Sequence, residues 1–297
     1  MGQGLIGIDW GTTHRRGYLL DAQGALTAEQ SDDQGMLASQ GRFPAALATL
    51  LAPWPTDVPV LMSGMVGAAS GWQEAPYLDA ASPLTALARN LMPLRDAPAG
   101  RRCAIVPGYR WRGANGEIDV MRGEETQLLG ALALGHGDGW YVLPGTHSKW
   151  VQVANGTVRS LRTYLTGELF GLLSQHGTLS SMVGATEVSR AFDEGLDAAT
   201  HGGLSQTLFG CRARVVTGEM PASHARSYLS GLLIGAEWHD VVTRARAPLQ
   251  QVTLISADHL AGSYQRAAQH HGCTLRMLDP RAVYLAALKA LQQGLDT

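Results

Sequence analysis

The stretch IDWGTTHRRGYLLDAQG, residues 8–24, predicts a strand, a Gly-Thr-Thr turn, a second strand and a tight reversal. Far along the chain, YVLPGTHSKWVQVANG at residues 141–156 predicts the same order. When Gly11 is aligned on Gly145, the closing turns DAQG and VANG fall within two residues of each other. A supersecondary unit that recurs in this way indicates a duplicated domain.

Strand and helix signals alternate around both copies of this unit. Apolar or β-branched runs predict strands at 5–9, 17–21, 25–29, 58–63, 103–107, 140–143, 149–154, 157–163, 212–217 and 252–256. Apolar residues at helical spacing predict helices at 43–52, 84–91, 123–134, 167–175, 189–196, 223–244, 261–270 and 281–292. Residues 110–117 are expected to form a polar loop, and Ser82 to cap the helix at 84–91. Gly231 and Gly235 share one helix face, which predicts a second helix crossing closely there.

The composition describes a soluble globular protein, since 45% of the 297 residues are apolar and 16% are charged. A net charge of −2 without a basic block gives no electrostatic case for nucleic acid or an anionic membrane as a partner. Three cysteines without CxxC spacing predict free thiols, and the N-terminal segment has no signal-peptide pattern. We therefore expect a cytoplasmic protein. The histidines lack the spacing of a transition-metal site.

The two Gly-Thr turns have the chemistry of phosphate-binding loops. Glycine lets the backbone approach a ligand closely, and successive N–H groups with threonine hydroxyls can surround phosphate oxygens. Asp9 ends a buried strand before the first turn, where a carboxylate is costly unless a cation or donor network stabilises it. Two such turns facing each other across a cleft could hold a triphosphate. An ordinary hairpin with a capping aspartate remains the alternative for one turn alone.

Several stretches resemble known families. The pattern Asp9-x-Gly11-Thr12-Thr13 resembles the first phosphate loop of the superfamily of sugar kinases, actin and heat-shock chaperone ATPases, and residues 144–149 lie where that superfamily has its second. More specifically, IDWGTTHRRGYLLD, SGMVGAASGWQEAPYL, DVMRGEETQLLGAL and LPGTHSKWV together resemble the 2-dehydro-3-deoxygalactonokinase family over most of the chain.

This resemblance implies an α/β fold of two duplicated ribonuclease H-like (actin-like ATPase) domains, with the active site in the cleft between them. The expected domains are residues 1–120, on the sugar-acid side, and 121–297, on the adenosine side. The implied reaction is ATP-dependent phosphorylation of 2-dehydro-3-deoxy-D-galactonate at its 6-hydroxyl, with Mg²⁺ near Asp9. The implied phosphate-binding residues are Gly11, Thr12, Thr13, Gly145, Thr146, His147, Ser148 and Lys149, and the implied adenine-binding residues are Ser256 and Gly262.

Removal of the proton from the 6-hydroxyl requires a carboxylate within hydrogen-bond reach. The string RGEETQ, residues 122–127, opens a predicted helix where related carbohydrate kinases have an acidic residue after a glycine, usually Asp. Glu124 fits that position, and a helix N-terminus favours an ionised acid. Glu125 and Asp119 remain alternatives, as does a structural role for the acidic pair in the first helical turn.

An anionic keto acid requires a cation that binds its carboxylate. Arg122, beside the expected base, and Arg16, past the first turn, are the candidates, because arginine binds carboxylates in a bidentate manner. The glycine-rich segment SGMVGAASGWQEAPYL adds Trp72, Glu74 and Tyr77 as an aromatic wall and polar group for a small ligand. A plain surface loop with a buried tryptophan is the alternative.

Other functions on the same scaffold stay open from sequence. A water acceptor, as in exopolyphosphatases, is disfavoured by the absence of a basic tract for a polyanion. A non-catalytic sugar-acid or nucleotide sensor would not need the acidic pair at residues 124–125. A kinase of the gluconate epimer differs only by the configuration of one hydroxyl. A homo-oligomer is compatible with the sequence.

Overall fold

The computed structural model describes residues 4–98, 100–176, 179, 188–245 and 247–292. Contacts divide the chain into two compact units. The first is drawn from the described residues of Met1–Asp138, Gln152–Leu161 and Asp279–Thr297, and the second from those of Gly139–Val151 and Arg162–Leu278. The C-terminal segment therefore belongs to the first unit.

The strands, in chain order, are β1 (Leu5–Trp10), β2 (Arg15–Leu20), β3 (Leu26–Asp32), β4 (Val60–Gly64), β5 (Tyr77–Asp79), β6 (Met92–Pro93), β7 (Cys103–Ile105), β8 (Gly108–Arg112), β9 (Ile118–Met121), β10 (Gly139–Leu143), β11 (Ser148–Ala154), β12 (Thr157–Tyr164), β13 (Gln251–Ile255) and β14 (Thr274–Leu278). The helices are α1 (Met36–Ser39), α2 (Phe43–Leu51), α3 (Glu124–Ala133), α4 (Thr166–Gln175), α5 (Ser189–Ala198), α6 (Leu204–Val216), α7 (Ala225–Arg244), α8 (Asp258–His270) and α9 (Pro280–Gln292). None of these described helices is both long and apolar enough to cross a membrane.

Two of the sheets share one strand order. The first has the order β3-β2-β1-β4-β7-β6, and the second has the order β12-β11-β10-β13-β14. In each, the strand before the Gly-Thr turn is central, the next two strands lie on one side, and strands from later in the chain lie on the other. β1 pairs in parallel with β4, and β10 pairs in parallel with β13. The duplication predicted from the two turns is confirmed.

The central strand of the first sheet is buried on both faces. Ile6, Ile8 and Trp10 of β1 have no exposed surface and belong to a core that α2 completes. On the opposite face, Gly7 leaves room for Leu288 of α9, because a Cβ on Gly7 would overlap that side chain. Burial on both faces explains why β1 is an almost continuous apolar run.

Helices α5 and α7 of the second unit cross at glycines. A Cβ on Gly231 would overlap the carbonyl oxygen of Phe192, and a Cβ on Gly235 would lie 2.9 Å from the Cβ of Ala199. Residues at a helix contact set the distance between the axes, so the missing side chains permit close approach. The crossing predicted from Gly231 and Gly235 is confirmed.

Two predictions from local sequence are wrong. Residues 212–217, predicted as a strand, form the last part of α6 and its C-cap. The buried residues of this helix, Thr207 and Cys211, are four positions apart, as the period of a helix requires. Residues 110–112 belong to β8 rather than to a loop, because β5 and β9 supply hydrogen-bond partners from distant segments. Both errors arise where packing outweighs local propensity.

Smaller differences concern a cap and an edge strand. Pro83, not Ser82, stands at the N-cap of the segment Leu84–Arg89, which is a 3₁₀ helix. β14 was not expected, because it pairs at the edge of the second sheet and its residues are mostly exposed. The three cysteines are free thiols, as predicted.

The compact units and the expected domains divide the chain differently. Helix α3 follows the expected boundary at residue 120, yet it packs against α9, and both belong to the first unit. Units defined by contacts need not coincide with the modules of a duplication. The domain bounds 1–120 and 121–297 therefore stay a prediction.

We expect Gly231→Ala to lower the melting temperature, because its methyl group would overlap the Phe192 carbonyl oxygen. Overpacking typically costs about 1–3 kcal/mol. Gly210→Ala in α6 is the matched control, since a Cβ there meets nothing within 4 Å and alanine favours a helix by roughly 0.5–1 kcal/mol. Thermal unfolding followed by circular dichroism measures both. Equal melting temperatures for the two variants would contradict the close crossing.

Candidate functional site

The first Gly-Thr turn joins β1 to β2 and is held by the segment that leads into α1. The carbonyl oxygens of residues 11–13 accept backbone N–H groups of residues 35–37 over distances of 2.8–3.1 Å. Gly35 is required there, because a Cβ would lie 2.6 Å from the Thr12 carbonyl oxygen. A cavity of about 180 Å³ beside the turn is lined by Asp9, Gly11, Thr12, Thr13, His14 and Arg16.

Asp9 borders this cavity near the end of β1. Its side chain is 28% exposed, and its Oδ2 is 4.0 Å from Nη1 of the half-exposed Arg16 on β2. Burial raises the pKa of Asp9, the Arg16 charge lowers it, and the charge of Glu124 raises it. A bound cation would stabilise the ionised form, so Asp9 fits a Mg²⁺ ligand.

The described residues contain no group of three or more His, Cys, Asp or Glu side chains that could hold a metal ion. Mg²⁺ does not require such a group, because it is usually bound through one or two carboxylates, substrate phosphates and water. A single carboxylate at Asp9, beside a turn that is predicted to bind phosphate, is therefore a suitable donor set.

Two glycines bring a second acidic segment to Asp9. Gly64 ends β4, Gly123 precedes α3, and their φ angles are +88° and +110°. A Cβ on Gly123 would lie 3.3 Å from the Cα of Gly64. A Cβ on Gly64 would lie 2.8 Å from the Trp10 carbonyl oxygen and 3.6 Å from Oδ1 of Asp9. Glycine permits both the positive φ and the close approach, so α3 begins beside Asp9.

Glu125 is turned inward against the start of its own helix. It has no exposed surface, and its two carboxylate oxygens accept the N–H of Gly123 at 2.9 and 2.7 Å. Thr126 Oγ1 donates a further hydrogen bond at 3.1 Å. Burial, and then the charge of Glu124, raise the pKa of Glu125 to about 7. Its carboxylate thus caps α3 and is closed to a ligand.

Glu124 is the partly exposed member of the acidic pair. Its Oε2 accepts the N–H of Arg122 at 3.0 Å, and its charge raises the pKa of both Asp9 and Glu125. The structure therefore brings Glu124 and Asp9 together, as their predicted roles require. Asp119 lies in β9, where its Oδ1 accepts the N–H of the next residue at 2.7 Å.

Arg122, directly before Gly123, is a buried cation with incomplete hydrogen bonding. It is 9% exposed, its Nη2 donates to the Ala75 carbonyl oxygen at 2.8 Å, and its Cζ lies 4.2 Å from the centre of the Tyr77 ring. Nε and Nη1 have no hydrogen-bond acceptor among the residues that the structure describes. Because buried donors are normally paired, these two atoms have unsatisfied hydrogen-bonding capacity.

Trp72 packs against aromatic side chains, and Glu74 lies at the surface. The Trp72 ring stacks on Phe43 with ring centres 6.0 Å apart and meets Trp10 edge-on at 6.4 Å. It is partly buried and packs against the core of the first unit. Glu74 is exposed. A contact of either residue with the sugar acid stays a prediction.

The second Gly-Thr turn joins β10 to β11 and rests on the start of α4. The Thr146 carbonyl oxygen accepts the N–H of Glu168 at 2.9 Å, and a Cβ on Gly167 would overlap the Gly145 carbonyl oxygen. His147 Nε2 lies 2.6 Å from Oε2 of the same glutamate. Gly145, Thr146 and His147 are exposed, so the tip of the turn is open to a ligand.

Ser148 and Lys149 complete the predicted phosphate set, but their side chains are buried. Lys149 Nζ donates to Thr163 Oγ1 at 2.8 Å, and Ser148 Oγ donates to Glu237 at 3.2 Å. Burial raises the pKa of Glu237 to about 7, against the hydrogen bonds that it accepts. Direct contact of these two side chains with phosphate stays a prediction.

The residues predicted to contact adenine lie after β13. Ser256 follows the strand, and its Oγ donates to the carbonyl oxygen of the next residue at 3.1 Å. Gly262 is exposed on α8, and a Cβ there meets nothing within 4 Å. Contact of Ser256 or Gly262 with adenine stays a prediction.

Sequence reasoning overlooked two buried charged residues. Arg15 has no exposed side-chain surface and donates to both carboxylate oxygens of Asp32 at 3.0 and 2.7 Å, at the base of the first turn. The order of polar and apolar residues in β2 gives no sign that Arg15 is buried. Glu237 of α7 is the second, and its signal is a single acid within the apolar run GLLIGAEW, residues 231–238.

Nearly the whole chain matches one enzyme family. A family profile described as 2-keto-3-deoxy-galactonokinase matches residues 9–291. The chain belongs to the 2-keto-3-deoxy-galactonokinase family. The 2-dehydro-3-deoxygalactonokinase of Escherichia coli (strain K12) is 36% identical over 293 residues, which are 96% of this chain and 96% of that protein. The family predicted from the sequence motifs is confirmed.

Solved structures agree with this kinase family. A crystal structure assigned to a 2-dehydro-3-deoxygalactonokinase of Sinorhizobium meliloti has a TM-score of 0.88 and 33% identity, covering 97% of this chain and 95% of that one. The xylulose kinase of Lactobacillus acidophilus has a TM-score of 0.52 and 12% identity over 99% and 90% of the two chains, a likeness of fold alone. The predicted sugar-kinase fold is confirmed. An active site in a cleft between domains stays a prediction.

The pKa of Glu125 predicts a pH-dependent effect of Glu125→Gln on stability. Because its pKa is raised to about 7 in the folded state, protonated Glu125 stabilises the fold, and this contribution is lost as the pH rises through 7. Gln cannot ionise. Between about pH 5 and pH 8 the melting temperature of Glu125→Gln should therefore rise relative to that of the native chain. The exposed Glu74→Gln is the control, and a pH-independent difference for Glu125→Gln would refute the raised pKa.

Proposed function

We propose that the chain transfers the γ-phosphoryl group of ATP to the 6-hydroxyl of 2-dehydro-3-deoxy-D-galactonate, giving 2-dehydro-3-deoxy-6-phospho-D-galactonate. The observation that carries this proposal is the match of residues 9–291 to the 2-keto-3-deoxy-galactonokinase family, together with an Escherichia coli relative named for that activity. The chain is a kinase, a phosphotransferase with an alcohol as acceptor. The surroundings of Asp9, Arg122 and Glu124 support the same chemistry.

Glu124 is the group that we assign as general base. In the transfer, the 6-hydroxyl oxygen forms a bond to the γ-phosphorus, the bond from that phosphorus to ADP breaks, and the hydroxyl proton must leave. Glu124 is partly exposed and close to Asp9, whereas both carboxylate oxygens of Glu125 accept the Gly123 N–H. The proton is therefore assigned to the Glu124 carboxylate.

Asp9 is assigned to the Mg²⁺ that accompanies ATP. When bound, Mg²⁺ neutralises negative charge on the phosphates. Burial and the charge of Glu124 both disfavour ionised Asp9 without a cation, which supports this role. The first Gly-Thr turn lines the same cavity as Asp9 and is assigned to phosphate oxygens.

The second turn is also assigned to ATP. Its tip, residues 145–147, is exposed, and the start of α4 donates a backbone hydrogen bond to it. Ser256 and Gly262 are assigned to the adenosine. The expectation that the two turns bind one ATP from opposite sides stays a prediction.

Arg122 is assigned to the carboxylate of the keto acid. Its Nε and Nη1 have no acceptor among the described residues, so a carboxylate that reached either N–H would form a charge-assisted hydrogen bond with it. Ala75 and Tyr77 hold the guanidinium group through a hydrogen bond and a ring contact. Arg16 remains the second candidate, although it is half-exposed and lies beside Asp9.

An assay of ADP release with Mg-ATP and a panel of 2-keto-3-deoxy sugar acids tests the proposed function. We expect ADP release to depend on 2-dehydro-3-deoxy-D-galactonate and ³¹P NMR to detect a phosphate ester at O6. The gluconate epimer in the same panel decides between the two sugar acids. ADP release without any sugar acid would favour a water acceptor, and sugar-acid binding without turnover would favour a sensor.

Glu124→Gln should lower kcat by roughly 10²–10⁴-fold with little change in KM, because Gln keeps the size of the side chain but cannot accept the proton. Glu125→Gln is the matched control and should keep most of the activity, since its carboxylate faces the helix start. The reverse result would exchange the two roles. Full activity in both variants would make Asp119 the candidate base.

Arg122→Ala should raise KM for the keto acid far more than KM for ATP. Loss of a buried, charge-assisted pair costs about 2–5 kcal/mol, which corresponds to tens to thousands of times in affinity. Arg16→Ala is the comparison, and its effect on the same KM should be smaller because Arg16 is half-exposed. Unchanged KM for the keto acid in both variants would mean that its carboxylate binds elsewhere.

A further inference from the structure

A buried carboxylate lies behind the second Gly-Thr turn and has no part in the proposed transfer. Glu237 of α7 is 1% exposed. Its Oε2 accepts the hydroxyl of Thr166 at 2.6 Å, and its Oε1 accepts the hydroxyls of Tyr264 at 2.5 Å and Ser148 at 3.2 Å. Ser148 Oγ is also 3.2 Å from the Tyr264 hydroxyl. One carboxylate therefore joins α4, α8 and β11 to α7.

Two of these hydroxyl groups adjoin the turn on different sides. Ser148 follows the exposed tip, residues 145–147, and begins β11. Thr166 begins α4, whose next two residues pack under the tip and donate an N–H to it. Glu237 thus accepts hydrogen bonds from both sides of the turn: from Ser148, the first residue after the tip, and from Thr166, at the start of the helix that packs against the tip.

Glu237 cannot attract phosphate, because a carboxyl group is either negatively charged or neutral. Its effect on a nucleotide bound at the tip must therefore come from the positions of the hydroxyls that it accepts. Hydrogen bonds to a buried carboxylate are stronger and more directional than those between neutral groups. Acceptance of three hydroxyls by one side chain limits the movement of every element that carries them.

We propose that Glu237 is a positioning residue for the phosphates of ATP, acting through Ser148 and Thr166 on the tip 145–147. This inference rests on the proposed function, because it takes the tip as a phosphate contact. Loss of the hydrogen bonds should weaken ATP selectively, since the keto acid is assigned to Arg122 in the first unit. A structural role alone would change stability without this selectivity.

Steady-state kinetics of four variants test the proposal. Glu237→Leu removes the acceptor, Tyr264→Phe removes one hydroxyl and keeps its ring, and Glu237→Gln keeps the size and one accepting oxygen. Asp240→Asn is the matched control, a carboxylate one turn further along α7 that accepts the Tyr164 hydroxyl at 2.6 Å.

We expect KM for ATP to rise on the order of tenfold in Glu237→Leu and about threefold in Tyr264→Phe, because misplacement of a binding group by a fraction of an ångström weakens its contacts. In Glu237→Gln, KM for ATP should stay much closer to the native value than in Glu237→Leu. KM for the keto acid should stay native in every variant, and Asp240→Asn should be native in both constants.

A lower melting temperature with native KM for ATP in Glu237→Leu and Tyr264→Phe would overturn the proposal, and so would equal rises in both KM values. Should Glu237→Leu fail to fold, Tyr264→Phe decides by the same criterion. If the native chain phosphorylates no sugar acid, the proposed function fails separately. Calorimetric titration with a non-hydrolysable ATP analogue then decides: weaker binding by Tyr264→Phe supports the inference, and equal or absent binding overturns it.

Discussion

The contact between the backbones of Gly64 and Gly123 is the constraint on which the first half of the site depends. It joins the end of β4, which pairs with β1, to the start of α3, and both glycines have positive φ angles. A side chain at Gly123 would press on Gly64, and one at Gly64 would overlap the Trp10 carbonyl oxygen of β1. Through this contact α3 begins beside Asp9, with Glu124 at the surface of the segment and the buried Arg122 directly before it.

The arrangement is electrostatically unfavourable without ligands. Burial and the neighbouring Glu124 raise the pKa of Asp9 and Glu125, while Arg122 has two donor atoms without acceptors among the described residues. A cation relieves the first effect and an anion the second. The magnesium-bound nucleotide and the acidic sugar of the proposed reaction would supply these opposite charges. Packing around the contact between Gly64 and Gly123 keeps these charged groups close together when no ligand is bound.

Features with a local cause could be predicted from the sequence. The hairpin strands follow from apolar alternation, and the crossing at Gly231 follows from a missing side chain. The strand error at 212–217 arises because Val215-Val216 favours a strand while the packing of α6 requires a helix. In the site, sequence could not tell which of Glu124 and Glu125 is turned inward, since that depends on the direction of one N–H group, that of Gly123. The networks around Arg15 and Glu237 join residues far apart in the chain, so local patterns carry little trace of them.

Comparison of Gly123→Ala with Gly116→Ala tests the glycine contact most directly. Both φ angles are positive, +110° and +81°, but a Cβ at Gly123 would lie 3.3 Å from the Cα of Gly64, whereas a Cβ at Gly116 meets nothing within 4 Å. The measurement is kcat for sugar-acid-dependent ADP release, well below both melting temperatures and corrected for the folded fraction. We expect Gly123→Ala to lower kcat by about tenfold or more, because the start of α3 is displaced from Gly64 and Asp9, while Gly116→Ala keeps the native rate. A native kcat in folded Gly123→Ala would show that the contact does not set the site.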